Sequence, residues 1–233
     1  MGKKSRAKQE SRQSGGSQPK SQRPSPAAVR SKEKNIPFFW IVLGVIAVTF
    51  LVIIALLPSD SEEKQGAFSK KVGVSGTSLE MYGSEKNDPA IGEPFPTVSG
   101  VDTTGKKMKI APNGSPMAVL VLAHWCPHCQ KEVPLLQDWL EKNKVPKGVK
   151  LYALATGSDA TRENFPPQKW LKKEKWQVRT MLDDKDGTGG EQLGTNSFPY
   201  FIFVDKDGNV QKRTSGEITM KKWAQLLKDV SQA

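Results

Sequence analysis

The sequence predicts an α/β fold in which helices flank a central mixed sheet, preceded by an N-terminal transmembrane helix. Three observations lead to this prediction. An uncharged run of 22 residues extends from Ile36 to Leu57. From about Pro89 onwards, short apolar runs of strand length alternate with segments of helical periodicity. A hairpin turn and a final amphipathic segment close the chain, and this order of elements is typical of an α/β domain.

The uncharged run is long enough to cross the roughly 30 Å hydrocarbon core of a membrane as a helix. Residues 1–35 hold ten Lys or Arg and two Glu, a net charge of +8 out of the chain's +11. This asymmetry predicts a single-pass anchor in the cell membrane with a disordered, basic cytoplasmic tail and an extracytoplasmic catalytic domain. A cleaved signal peptide fits less well, because the run is too long and no small-x-small cleavage site follows it.

The remaining residues divide into a linker and one domain. Residues 58–88 carry six acids, four bases and scattered glycines without sustained apolar periodicity. This predicts a flexible linker, with a short ordered segment around Val72 to Met81 as the alternative. Residues 89–233 are numerous enough for one domain with a single core. The basic tail raises the alternative of nucleic-acid binding, but positive charge beside a membrane helix is chiefly a topology signal. We therefore predict no nucleic-acid partner.

Strands and helices alternate along the domain. Apolar runs predict strands at residues 117–123, 149–155 and 200–204. Helical spacing and composition predict helices directly after the first strand, over residues 170–176, and from about residue 219 to the C-terminus. Residues 205–209 read Asp-Lys-Asp-Gly-Asn and predict a hairpin turn that joins the third strand to residues 210–213.

Cys126 and Cys129 are the only cysteines of the chain. They follow an apolar strand, open a helix and lie two residues apart, which is typical of a redox disulfide. At a helix start, unpaired backbone N–H groups and the helix dipole stabilise a Cys126 thiolate. Cys129 lies about one turn later on the same face, so it can close a disulfide with Cys126 or resolve a mixed disulfide. We predict that the two cysteines carry a complete exchange cycle.

Pro127 and His128, between the cysteines, are predicted to set the redox balance. Pro127 suits the first helical turn, and a protonated His128 places a second positive influence beside the Cys126 thiolate. Both favour the reduced form, and a protein whose reduced form is stabilised is the stronger oxidant. The Cys-Pro-His-Cys motif resembles that of DsbA-type oxidases.

Three other interpretations of the motif fit the sequence less well. A zinc site usually needs four ligands, and the only histidines, His124 and His128, lie in the same short turn. A structural disulfide across so short a loop would stabilise little. Copper delivery would use a distant histidine as third ligand, and no histidine follows His128. We predict no resident metal or cofactor, and keep copper delivery as the alternative from another functional class.

The domain resembles the thioredoxin superfamily over roughly residues 89–231. Besides Trp125 and the cysteine pair, Pro134 occupies the position of the kinking proline in the family's active-site helix. Pro199, before an apolar strand, matches the family's cis-proline. The resemblance implies a thioredoxin-like fold and a substrate groove lined by Trp125, Phe198 and Pro199.

Within that superfamily the chain is most similar to the membrane-anchored TlpA/ResA branch of extracytoplasmic thiol–disulfide proteins. Residues 92–96, Gly-Glu-Pro-Phe-Pro, resemble the opening segment of that branch. Residues 180–183, and then 194–199, resemble its later strand and loop. These later matches are less specific than the cysteine motif.

One position departs from the wider superfamily. Thioredoxins bury an acid six residues before the first cysteine to handle protons for the second, and this chain has Leu120 there. Glu132 lies one turn beyond Cys129, in a Glu-Val-Pro segment that resembles the Glu-x-Pro of the TlpA/ResA branch. Glu132 is therefore either a substitute proton carrier or an ordinary surface acid, and His124 could also contribute.

The leading hypothesis for function is a disulfide oxidase that acts on cysteine-containing exported proteins. By family analogy, a quinone-linked membrane partner would reoxidise the Cys126–Cys129 pair. The alternative is a thiol–disulfide reductase of the cytochrome c maturation type, supplied with electrons by a membrane thiol carrier. Residues 127 and 128 favour the oxidase, and the TlpA/ResA resemblance favours the reductase.

Overall fold

The structure is a computed structural model that describes residues 37–56, 66 and 68–233. The predicted basic tail, residues 1–35, lies outside the described residues, as do residues 58–65 of the predicted linker. The chain divides into two compact units, with the boundary between Ile54 and Ala55. Each unit is described separately.

The first unit contains helix α1, Phe38–Leu56, which coincides with most of the predicted transmembrane helix. It carries no charged residue, and its large apolar side chains are exposed as far as Ile53. Within the part of the chain that the structure describes, however, no helix meets the combined requirement of length and apolarity for a membrane span.

The second unit is a mixed sheet with helices on its faces. In the described residues the sheet has eight strands, ordered β1-β2-β6-β5-β4-β7-β8, with β3 paired to β2. The strands are β1 Gly73–Ser75, β2 Thr97–Asp102, β3 Lys107–Ile110, β4 Met117–Leu122, β5 Lys150–Ala155, β6 Arg179–Leu182, β7 Tyr200–Val204 and β8 Val210–Ser215. The three predicted strands correspond to β4, β5 and β7, and the predicted hairpin joins β7 to β8.

The centre of the sheet explains where the cysteine motif lies. Strands β4, β5 and β6 are parallel, whereas β7 runs antiparallel beside β4. All six residues of β4 are buried, because one apolar cluster covers each face of the sheet. Leu122 pairs with Ala155, so β4 and β5 end at the same edge. The segments after them, which include the cysteine motif, therefore meet at that edge.

The helices of the second unit are α2 Pro127–Lys142, α3 Pro167–Lys173, α4 Thr188–Gln192 and α5 Met220–Gln232. Helix α2 begins directly after Cys126 and contains Pro134, and α5 begins after Thr219, whose side chain accepts a hydrogen bond from Lys222 N. The helix predicted over residues 170–176 is shifted. Pro167 starts it early, as suits a first-turn proline, and a left-handed φ of 54° at Lys175 prevents its continuation.

The prediction of a flexible linker is wrong for residues 68–88. This segment contributes β1 to the sheet and buries Val72, Leu79 and Tyr82 in the core. Asp88 is buried and accepts hydrogen bonds from the guanidinium of the equally buried Arg213 on β8. Because short apolar clusters separated by polar residues have no clear period, sequence periodicity could not reveal this packing. The domain therefore begins about twenty residues before residue 89.

Candidate active site

Cys126 and Cys129 flank the first turn of α2. Cys126 is the N-cap residue with extended φ and ψ of −75° and 120°, and Pro127 is the first helical residue. Cys126 O accepts from Gln130 N at 3.0 Å, which closes that turn. The Cys126 residue is 6% exposed, whereas Cys129 is 0% exposed, and both are free thiols. Of the two residues, only Cys126 therefore retains any exposure to solvent.

The Phe198–Pro199 segment lies beside Cys126. The peptide bond between Phe198 and Pro199 is cis, and the Cys126 thiol donates to Phe198 O at 3.7 Å. The Trp125 and Phe198 rings meet edge to face with centroids 6.0 Å apart. Pro199 O in turn accepts from Gly216 N at 2.8 Å. The structure thus brings Trp125, Phe198 and Pro199, the groove residues that the family resemblance implies, together beside Cys126.

Cys129 is enclosed by the apolar cluster on the α2 face of the sheet. Burial raises the pKa of the Cys129 thiol well above its usual range, and the neighbouring Cys126 and Glu132 add to this effect. Cys129 therefore holds its proton at neutral pH unless a nearby base accepts it. The two sulfurs differ in access to solvent, as an attacking cysteine and a resolving cysteine would.

Glu132 is buried rather than on the surface. It is 1% exposed and its Oε1 accepts from Ile218 N at 3.4 Å. Burial, together with the nearby Glu217 carboxylate, raises the pKa of Glu132 to about 7. Leu120, the residue in place of the thioredoxin acid, is packed in the same apolar cluster as Cys129. Glu132 is thus a buried carboxyl one helical turn from Cys129, with a pKa suited to proton exchange at neutral pH.

His128 extends from α2 towards the loop that precedes α5. Its Nδ1 lies 2.6 Å from Glu217 Oε1, and Lys131 Nζ lies 3.7 Å from the same oxygen. The hydrogen bond with His128 lowers the pKa of Glu217. All three side chains are more than two-fifths exposed. Sequence reasoning did not find Glu217, because it lies 89 residues from His128 and carries no motif of its own.

His124 is buried and makes hydrogen bonds through both ring nitrogens. Its Nδ1 donates to Glu163 O at 2.7 Å, and its Nε2 accepts from Asp159 N at 3.1 Å. This pattern requires the neutral imidazole, and burial correspondingly lowers the pKa of His124. Both ring nitrogens of His124 are therefore engaged in hydrogen bonds with the loop after β5. This argues against the expectation that His124 contributes to proton transfer. Among the described residues, no group of three or more His, Cys, Asp or Glu is placed to hold a metal ion.

Relatives of this chain share the chemistry that the site suggests. The chain is 30% identical over 147 residues to the thiol:disulfide interchange protein DsbE of Pseudomonas aeruginosa, covering 62% of this chain and 77% of that protein. It is 29% identical over 157 residues to the thiol-disulfide oxidoreductase ResA of Bacillus cereus, and this match covers 66% of this chain and 87% of that protein. A crystal structure assigned to DsbE of Chlorobium tepidum matches 60% of this chain and 96% of its own, with 22% identity and a TM-score of 0.51.

The structural likeness supports a thioredoxin-like α/β fold, and the named relatives share one type of reaction. The model of the Redoxin family matches residues 90–227, which include both cysteines, the Phe198–Pro199 segment and Glu132. The chain is accordingly a thiol–disulfide oxidoreductase of the DsbE/ResA type, and it belongs to the Redoxin family.

Proposed function

We propose that this protein is a membrane-anchored disulfide oxidase that acts on cysteine-containing proteins outside the cytoplasm. One observation carries the proposal. Cys126 stands alone at the accessible N-terminal end of α2, followed by Pro127 and His128, while Cys129 is buried behind it. In proteins generally, a helix start and a neighbouring cation favour the thiolate form of a cysteine, and with it the reduced form of a cysteine pair. Its disulfide form is then a ready acceptor of electrons.

The proposed cycle uses two client thiols. A client thiolate attacks Cys126 Sγ in the Cys126–Cys129 disulfide, so that a client–Cys126 bond forms and Cys129 leaves as a thiolate. In this proposal Glu132, when protonated, supplies the proton that Cys129 takes up. A second client thiolate then attacks the client sulfur and displaces Cys126 as a thiolate. The client leaves with a disulfide, and the protein holds two electrons that a quinone-linked membrane partner would remove.

A reductase is the second candidate, and one observation favours it. His128 shares its proton with the Glu217 carboxylate, whose negative charge offsets the positive influence of the imidazole on Cys126. In this direction the Cys126 thiolate attacks a client disulfide, Glu132 accepts the proton of Cys129, and Cys129 then displaces the client. Electrons would come from a membrane thiol carrier.

The reduction potential of the Cys126–Cys129 pair distinguishes the two directions. The full-length protein would be equilibrated with glutathione buffers, and the fraction of disulfide measured by thiol labelling and mass spectrometry. We expect a value near −120 mV, as for DsbA, because Cys126 lies at the start of α2 and is followed by Pro127 and His128. A value near −270 mV, as for thioredoxin, would show that the protein is a reductase. His128→Ala is the matched variant, and it should shift the potential towards more reducing values.

We further propose that residues 36–57 anchor the protein, with residues 1–35 in the cytoplasm. Helix α1 is apolar on all sides, which is typical of a helix buried in protein or in lipid. The basic residues before it support this orientation. Extraction of cell membranes with alkaline carbonate tests the anchor, since an integral protein stays in the pellet. Recovery of the protein in the supernatant would exclude the anchor.

A further inference from the structure

The loop at residues 157–165, after β5, is held against the cysteine motif by several hydrogen bonds. Trp125 Nε1 donates to Gly157 O at 2.6 Å. Gln130 Nε2 donates to Glu163 Oε1 at 3.1 Å. The buried His124 forms hydrogen bonds with the backbone of the loop through both of its ring nitrogens. The loop therefore has a fixed position beside Trp125, the residue that precedes Cys126.

Arg162 is the exposed residue that this arrangement places over Trp125. Its guanidinium carbon lies 4.7 Å from the centroid of the Trp125 ring. A guanidinium that lies over the face of an indole still has N–H groups that can bind a carboxylate in a forked geometry. Within the described residues, no ion pair and no hydrogen bond occupies these N–H groups.

The acids around Arg162 are already occupied. Asp159 accepts from the backbone N and the hydroxyl of Thr161, and its charge interacts with Arg162 without a hydrogen bond or an ion pair between them. Glu163 accepts from Gln130, and Glu217 is bound by His128 and Lys131. Arg162 is thus the cation at this groove whose donors remain free for a ligand, as far as the structure describes the chain.

We propose that Arg162 determines client specificity by binding an acidic side chain close to the reacting cysteine of the client. This inference rests on the proposed thiol–disulfide exchange at Cys126, in either direction. A client chain that approaches Cys126 along Trp125 and Phe198 would pass directly beside the guanidinium. The ion pair would form at the rim of the groove, so it should act mainly on the rate of association and weaken with salt.

The test measures one exchange step with peptides that differ in a single charge. Each peptide has one cysteine, linked as a disulfide to 2-nitro-5-thiobenzoate, and carries Asp, Ser or Lys beside that cysteine. The full-length Cys129→Ser protein is used, so the Cys126 thiolate attacks the peptide sulfur and the reaction stops there. A Cys126–peptide bond forms, the peptide–thiobenzoate bond breaks, and the coloured thiolate leaves. Each rate is divided by that of the same peptide with 2-mercaptoethanol.

We expect the order Asp, Ser, Lys from fastest to slowest, with Arg162→Glu reversing it by about two- to fivefold for each charged peptide. Arg162→Lys should keep the order, since it keeps the charge. The preference should vanish at 1 M salt, where the Debye length is about 3 Å. Arg179→Glu makes the same charge change at an exposed site at the opposite end of the parallel strands, and should leave the order unchanged.

Three results would overturn the inference. An unchanged order in Arg162→Glu would show that Arg162 does not select clients. Equal slowing of all three peptides in Arg162→Glu and Arg162→Lys would mean that Arg162 only holds Trp125 in place. The third result is that the Cys129→Ser protein with Arg162 intact reacts with none of the peptides, although 2-mercaptoethanol reacts with all of them. This would overturn both the inference about Arg162 and the proposed exchange at Cys126.

Discussion

At the scale of single residues, the difference between the two sulfurs governs reactivity. Cys126 is 6% exposed, whereas Cys129 is completely buried and has a raised pKa. A thiol that is both protonated and enclosed reacts slowly with alkylating reagents. We therefore expect iodoacetamide to modify Cys126 at least tenfold faster than Cys129 at pH 7. Mass spectrometry of the reduced Cys129→Ser and Cys126→Ser proteins gives the two rates separately.

Loss of exchange provides the second part of this test. Cys126→Ser should abolish exchange with peptide disulfides, because the accessible nucleophile is gone. Cys129→Ser should still form a mixed disulfide through Cys126 but should not release it. Equal alkylation rates, or exchange that survives in Cys126→Ser, would contradict the assigned roles.

Glu132 should make stability depend on pH in a defined window. Its pKa is about 7 in the folded protein, compared with an ordinary 4.5. Between these values the unfolded chain releases the proton while the folded chain keeps it, so stability falls as pH rises from 4.5 to 7. The total loss is about 3 kcal/mol for a shift of this size. Urea unfolding of the wild type and Glu132→Gln from pH 4 to 8 measures the difference.

In Glu132→Gln this part of the pH dependence should be absent, since the amide does not titrate. Glu141→Gln, on the outer surface of α2, is the matched control and should retain the wild-type slope. A wild-type slope in Glu132→Gln would show that Glu132 does not titrate in this window.

At the scale of elements, the segment before β2 depends on one buried ion pair. Arg213 Nε donates to Asp88 Oδ2 at 2.9 Å, and Arg213 Nη1 donates to Glu80 O at 2.8 Å. Removing the charge of Asp88 leaves a buried guanidinium uncompensated, which typically costs about 3–5 kcal/mol. We expect Asp88→Asn to lower the free energy of unfolding by about 3 kcal/mol in urea titrations.

Glu85 offers a control from the same segment. It pairs with Lys222 and Lys212, but these side chains are partly exposed. Exposed pairs contribute little, so Glu85→Gln should cost less than about 1 kcal/mol. Similar losses in Asp88→Asn and Glu85→Gln would mean that burial does not distinguish the two pairs.

Strongly apolar elements were predictable, and short mixed ones were not. Strand β4 could be recognised because six consecutive apolar residues fit a strand covered on both faces. Strands β1, β2 and β3 were not predicted. Strand β2 reads Thr-Val-Ser-Gly-Val-Asp, which is not a continuous apolar run, and β1 has only three residues. The alternating burial of β3, Lys-Met-Lys-Ile, is a period-two signal that could have been used.

At the scale of the whole molecule, the start of the domain decides whether it folds. Residues 68–88 supply an edge strand and three buried apolar side chains, and each of these side chains contributes about 1.5–3 kcal/mol. This sum is comparable with the total stability of a typical domain. We expect a protein made of residues 68–233 to unfold cooperatively. A protein made of residues 89–233 should be poorly soluble or should melt without cooperativity. Circular dichroism of the two proteins tests this, and equal melting temperatures would contradict it.

The sequence alone determined the chemistry of this protein, because that chemistry is local. A strand, two cysteines and the helix that follows are continuous in the chain, so Cys126, Pro127, His128 and Cys129 could be predicted as the site residues without a structure. The family resemblance added Phe198 and Pro199, which the fold then placed beside Cys126.

Only the tertiary structure decided what surrounds that chemistry. His128 meets Glu217 across 89 residues, and Asp88 meets Arg213 across 125. Such pairs depend on the register of the sheet and on which loops share an edge, and neither leaves a periodic signal in the chain. Burial of Glu132 and the position of Arg162 over Trp125 arise in the same way. The local sequence determines which groups can react. Long-range packing determines how deeply those groups are buried and which charged residues lie beside them.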